Sequence, residues 1–122
     1  MAPARILIVE DEAIVAIDAQ KTLQKLGYDV PAIAFSGEEA LQKTEELHPD
    51  VVLMDIVLRG QMDGIEAAAQ IYERFGIPAI FMTGYSKEIV ERLNTGKPYL
   101  SVSKPVDINE LITAIDKALT KV

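Results

Sequence analysis

The sequence predicts an α/β domain, a doubly wound parallel sheet of five strands with helices on both faces. Three observations carry that expectation. Short apolar runs end in polar residues and alternate with longer segments of helical period, the pattern of repeated βα units. Three of those runs, Ile6-Leu7-Ile8-Val9, Val51-Val52-Leu53-Met54 and Ala79-Ile80-Phe81-Met82, are apolar at every position, as strands covered on both faces are. A length of 122 residues with 49% hydrophobic content suits one compact domain, 1–122, built on a single core.

In chain order, the first strand is Arg5 to Val9, followed by a helix from about Glu12 to Leu26. Its Ala16, Ala19, Leu23 and Leu26 fall at spacings of three and four, and Gly27 supplies the stop. The second strand, about Tyr28 to Phe35, leads into Ser36-Gly37-Glu38-Glu39, a capping box that opens a helix to Leu47. Val51 to Met54 is the third strand. Asp63-Gly64 then opens a helix with Ile65, Ala68, Ala69, Tyr72 and Phe75 on one apolar face. The fourth strand is Ala79 to Met82, and Ser86 to Leu93 is the shortest and most polar helix. Last come a strand at Tyr99 to Ser103 and a helix from Ile108 to about Lys121. There Ile108, Leu111, Ile112, Ile115 and Leu119 form the expected buried stripe, and Asp107 with Glu110 repeats the capping-box spacing.

The three continuous runs are expected at the centre of the sheet. Pro31 in the second strand, and the alternation Leu100, Ser101, Val102, Ser103 in the fifth, point to edges. With right-handed crossovers the natural order is 2-1-3-4-5, a flavodoxin-like sheet.

Composition excludes several function classes. Lys and Arg total 12 against 19 Asp and Glu, a net charge of −7, so the basic footprint of direct nucleic-acid binding is missing. No apolar run approaches the length of a membrane span, no signal-peptide layout opens the chain, and there is no Cys. The expectation is a cytoplasmic protein without membrane contact.

In an open α/β sheet the ligand sits beyond the carboxyl ends of the strands at the switch point, here between strands 1 and 3. Glu10 and Asp11 follow strand 1, Asp55 follows strand 3, Thr83 follows strand 4, and Lys104 follows strand 5. All project at one rim. Carboxylates gathered there repel by about 4 kcal/mol per close pair at an effective dielectric of 20, a cost that a hard divalent cation would offset. The Glu10/Asp11/Asp55 set suits Mg²⁺, with Mn²⁺ as the other option, better than a metal that prefers soft ligands. Lys104 adds a compact positive charge, Thr83 a hydroxyl donor, and Gly84 leaves room for a phosphate-sized group. Carboxylate nucleophiles form aspartyl phosphates, and phosphoryl transfer depends on positioning and charge neutralisation.

Ile8-Val9-Glu10-Asp11-Glu12, Leu53-Met54-Asp55-Ile56, Met62-Asp63-Gly64, Thr83-Gly84 and Lys104-Pro105 together resemble the response-regulator receiver family, in the right order and over nearly the whole chain. The resemblance implies the receiver fold and a two-component phosphorelay role. It further implies Asp55 as phosphoacceptor, and Glu10, Asp11 and Asp55 with the main-chain carbonyl of Val57 around Mg²⁺. Thr83 and Lys104 become the phosphoryl-sensing pair, and Lys104-Pro105 a cis peptide, which an X-Pro bond supports at low energetic cost. Implied partners are a sensor histidine kinase or phosphotransfer protein upstream and an unidentified protein downstream.

Phe81-Met82-Thr83-Gly84-Tyr85 also looks like the FATGUY subgroup of single-domain receivers, with Met82 where that subgroup usually has Ala. Where the family places a Tyr or Phe three residues before its Lys, this chain has Ser101, with Tyr99 and Tyr85 as the nearby aromatic substitutes. The loop from Asp55 to Asp63 reads as one residue longer than in chemotaxis-type receivers. No effector domain is legible after Lys121, so output is expected from a partner docking on the surface, unless the chain is a piece of a longer protein.

Three rival functions fit the residues less well. A phosphorylation-independent interaction module gains support from Ser101 but has no use for clustered carboxylates. A haloacid-dehalogenase-type phosphatase wants a second Asp where Val57 stands. A flavodoxin needs hydroxyls and Gly where the Val9 to Ala13 turn offers carboxylates.

Overall fold

The structure is a computed structural model that describes residues 3–58, 60–84, 100–104 and 106–120. The expected segment Ser86 to Leu93, the switch-related Tyr85, Tyr99 and Pro105, and the Lys104-Pro105 peptide lie outside the described residues. In order, the elements are β1 (Arg5–Val9), α1 (Ala13–Lys25), β2 (Asp29–Ala34), α2 (Gly37–Leu47) and β3 (Val51–Asp55). They continue with α3 (Gly64–Phe75), β4 (Ala79–Thr83), β5 (Leu100–Ser103) and α4 (Ile108–Leu119).

The five strands are parallel in the order β2-β1-β3-β4-β5, as the sequence predicts. Every residue of β3 and β4 is buried, because helices cover both faces of the centre. Pro31 sits in the edge strand β2, where the pairing with β1 shifts register between Arg5 and Leu7. A missing N–H is tolerated there.

Two cores result, one on each face. Ile56, Ala67, Ala68 and Ile71 pack with Leu7 and Val9 of β1, while Leu23, Leu111, Ala114 and Ile115 pack with Ile6 and Ile8. The period of two along a strand makes this division. Among the described residues, no helix is long and apolar enough to cross a membrane.

The helix starts follow local chemistry. Ser36 accepts the N–H of Glu39, Asp63 that of Glu66 and Asp107 that of Glu110, each a side-chain N-cap. The buried faces differ from the expected ones. On α3 the buried residues are Gly64, Ala67, Ala68 and Ile71, with Ile65, Ala69, Tyr72 and Phe75 only partly buried. On α4 they are Leu111, Ala114, Ile115 and Ala118, while Ile108 and Leu119 are exposed. On α1, Leu26 is exposed because it is the C-cap, where the chain already leaves the helix towards Gly27. For α3 and α4 the cause is close packing: small side chains let a helix axis approach the sheet, and larger neighbours are pushed to the flanks.

Candidate functional site

The carboxyl ends of β1, β3, β4 and β5 form one rim, and strand register aligns it. Val9 stands beside Met54, Asp55 beside Met82, and Thr83 beside Ser103. Glu10, one residue past β1, therefore lies level with Asp55, and its N–H extends the ladder by donating to the Ala34 carbonyl at 3.0 Å. The N–H of Lys104 does the same on the other side, donating to the Thr83 carbonyl at 2.9 Å.

A cavity of about 460 Å³ opens over this rim, lined by Asp11, Glu12, Asp55, Val57, Leu58, Thr83, Gly84 and Lys104. Glu10, Asp55 and Thr83 are buried, and Asp11 is half-buried. One oxygen from each of Glu10, Asp11 and Asp55 falls within a common 4.8 Å, so the three expected carboxylates do converge. Val57, exposed and apolar, flanks Asp55. Ser101 lies in β5 beside Phe81 and is partly buried.

Lys104 brings its positive charge to the clustered acids, as expected, and neutralises part of their charge. Its ammonium Nζ donates to Asp55 Oδ2 at 3.1 Å and to Glu10 Oε1 at 3.2 Å. The second Asp55 oxygen, Oδ1, accepts the Val57 N–H at 3.1 Å. Burial, followed by the hydrogen bond and charge of Asp55, raises the Glu10 pKa from 4.5 to about 7, against the opposing pull of Lys104. Burial of Lys104 lowers its pKa, but the hydrogen bonds and charges of Asp55 and Glu10 win, and the net shift is upward.

Glu10 Oε2 is buried and has no hydrogen-bond partner among the described residues. An orphaned carboxylate oxygen beside two further acids is a donor set of hard oxygens, which fits Mg²⁺. Glu10 itself is fully buried and paired with Lys104 across the sheet.

Gly64 and Glu12 complete the surroundings of the site. Gly64 starts α3 against β3, so that a Cβ there would fall onto the Asp55 carbonyl, and its N–H donates to the Ile56 carbonyl at 2.9 Å. Glu12, the N-cap residue of α1, lines the cavity next to Asp11. Both stand in motifs of the sequence, Gly64 in Met62-Asp63-Gly64 and Glu12 in Ile8-Val9-Glu10-Asp11-Glu12.

Comparison with known proteins agrees with this geometry. Residues 6–116 match the family described as "Response regulator receiver domain". The chain is 35% identical over 120 residues to the transcriptional regulatory protein PdtaR of Mycobacterium tuberculosis, covering 98% of the chain and 58% of the relative. It is 32% identical over 118 residues to the phyllosphere-induced regulator PhyR of Methylorubrum extorquens, covering 93% of the chain and 43% of that protein. The chain thus spans about half the length of these two relatives. In structure it resembles the signal receiver domain of a modulated diguanylate cyclase from Desulfovibrio desulfuricans G20. That match has a TM-score of 0.87 and 35% identity, covering 98% of this chain and 95% of that one.

Proposed function

The chain belongs to the response regulator receiver domain family, signalling switches of two-component systems, and from that premise we propose that it takes a phosphoryl group onto Asp55. The donor would be phosphohistidine on a sensor histidine kinase or a phosphotransfer protein. The P–N bond breaks as a bond forms between phosphorus and an Asp55 oxygen, and the electron pair of the broken bond goes to the imidazole nitrogen. The observation that supports this reading is the Asp55 carboxylate on the cavity wall, held at Oδ2 by Lys104 and at Oδ1 by the Val57 N–H, with carboxylate oxygens of Glu10 and Asp11 beside it.

The residues present would hold Mg²⁺ through Glu10, Asp11 and Asp55 with the main-chain carbonyl of Val57. When bound, Mg²⁺ supplies positive charge against the phosphoryl oxygens. The chain's own residues do the rest. Lys104 gives up its place on Asp55 Oδ2 for a phosphoryl oxygen, and Thr83 offers its hydroxyl to another; Gly84, the next residue along the cavity wall, adds no side chain. Catalysis is limited to the receiver's own phosphorylation and dephosphorylation. Tyr85, Tyr99, Ser101 and Pro105 belong to the switch that follows, which alters a surface read by a downstream protein. Function in the cytoplasm is part of the same reading.

Incubation with a small-molecule phosphodonor and Mg²⁺ should add one phosphate by intact mass, and an Asp55→Asn variant should take up none. Equal uptake by the variant would remove Asp55 from the role. One observation favours a second reading, an interaction module independent of phosphorylation: Ser101 stands where the family places an aromatic. A parent protein that binds no Mg²⁺ in a titration would favour it.

A further inference from the structure

Glu110 lies on the first turn of α4, three residues after the N-cap Asp107. That spacing predicts a capping box, in which the Glu carboxylate returns to the N–H of the cap itself. The fold uses it differently. Asp107 does cap, accepting the Glu110 N–H at 3.3 Å, but the Glu110 carboxylate accepts the N–H of Ser103 at 3.4 Å.

Ser103 ends β5, a four-residue strand at the edge of the sheet. Successive N–H groups of a strand point to opposite sides. That of Lys104 faces β4 and meets the Thr83 carbonyl, so that of Ser103 faces the open edge, where no strand lies among the described residues. A short edge strand held on one side only frays readily at its end. This end is the one from which the Lys104 side chain reaches Asp55 and Glu10.

We propose that Glu110 is a positioning residue for Lys104. Thr83 holds the chain from inside the sheet and Glu110 from outside, so the exit from β5 is fixed in the direction that aims the ammonium at the two carboxylates. A surface glutamate on α4 thereby acts on a cavity it does not line.

The test uses the parent, Glu110→Ala, Glu110→Gln, Lys104→Ala and the Lys104→Ala/Glu110→Ala double variant. Three quantities are read: the NMR signal of the Lys104 ammonium, visible when it is held in ion pairs, exchange of the Ser103 amide, and the rate of phosphorylation by a small-molecule phosphodonor with Mg²⁺. In Glu110→Ala the ammonium signal should broaden or vanish, Ser103 exchange should quicken, and phosphorylation should slow by up to about a hundredfold, the order expected of a group misplaced by about 1 Å. Glu110→Gln still offers an acceptor oxygen and should keep all three near the parent. Adding Glu110→Ala to Lys104→Ala should slow phosphorylation no further.

An unchanged ammonium signal in Glu110→Ala would overturn the proposal, leaving Glu110 as a helix-end contact. So would equal slowing in the Lys104→Ala background. The rate readout rests on the phosphoacceptor reading above, but the ammonium signal is recorded without any phosphodonor. A parent that takes up no phosphate would therefore count against that reading alone.

Discussion

At the scale of single residues, Glu10 is the group whose chemistry its surroundings change most. Its raised pKa, about 7 against an ordinary 4.5, means that the metal-free fold holds a proton that the unfolded chain has released. Since the folded state binds more protons in that interval, stability falls as pH rises from 4.5 through about 7, and the full penalty is present above it. A carboxylate ligand has to be ionised, so cation uptake below that pKa displaces the proton. Mg²⁺ affinity should therefore weaken from roughly pH 8 to roughly pH 6, with proton release measurable by titration calorimetry in buffers of different ionisation enthalpy. A pH-independent affinity would contradict the assignment. Val57 acts differently, through what it lacks. It lines the cavity beside Asp55, is 60% exposed, and offers no side-chain group to orient an attacking water. Dephosphorylation of Val57→Asn should accordingly be faster than that of the parent, and a rate no faster would end the idea of an apolar shield.

Among the elements, α3 shows how one backbone contact sets a whole helix. With Gly64 seated on the Asp55 main chain, the helix turns its small residues, Ala67 and Ala68, to the sheet and leaves Tyr72 and Phe75 on the flank. Gly64→Ala would force the helix start off β3, and overpacking of that kind costs about 3 kcal/mol. Urea unfolding should show a lower midpoint at unchanged slope, and a loss well below about 1 kcal/mol would mean that the contact relaxes without strain. The same substitution should displace Asp55, because the clash falls on its carbonyl. At α2 the capping box is also altered: Glu39 reaches the N–H of Phe35 at 3.1 Å, one residue before the cap Ser36. The tie fastens the end of β2 next to Ala34, the residue whose carbonyl holds the Glu10 N–H.

For the molecule as a whole, three acids at one rim sit within a chain of net charge −7. Lys104 neutralises only part of that local charge, so a cation binding the folded state and not the unfolded one should stabilise the entire domain. Mg²⁺ at a hundredfold excess over its dissociation constant corresponds to about 2.7 kcal/mol. The thermal midpoint of the parent should rise with Mg²⁺, and that of Asp11→Asn should rise much less. Equal rises would place the cation elsewhere on the acidic surface.

The sequence by itself determined the succession of the described strands and helices, the N-caps Ser36, Asp63 and Asp107, the central and edge strands, and the set Glu10, Asp11, Asp55, Thr83 and Lys104 at one rim. Those features rest on local preferences and on a topological rule that sends the ends of parallel strands to one rim. Tertiary structure alone decided the rotation that buries Ala67, Ala114 and Ala118 and leaves Phe75, Ile108 and Leu119 outside, that the Lys104 ammonium bridges both Glu10 and Asp55, and that Glu110 serves Ser103 and not its own cap. The physical reason is range. Periodicity and capping are read between neighbours in sequence, whereas helix rotation is set by the close approach of backbones, and charge state by burial and by partners that only the folded sheet brings together.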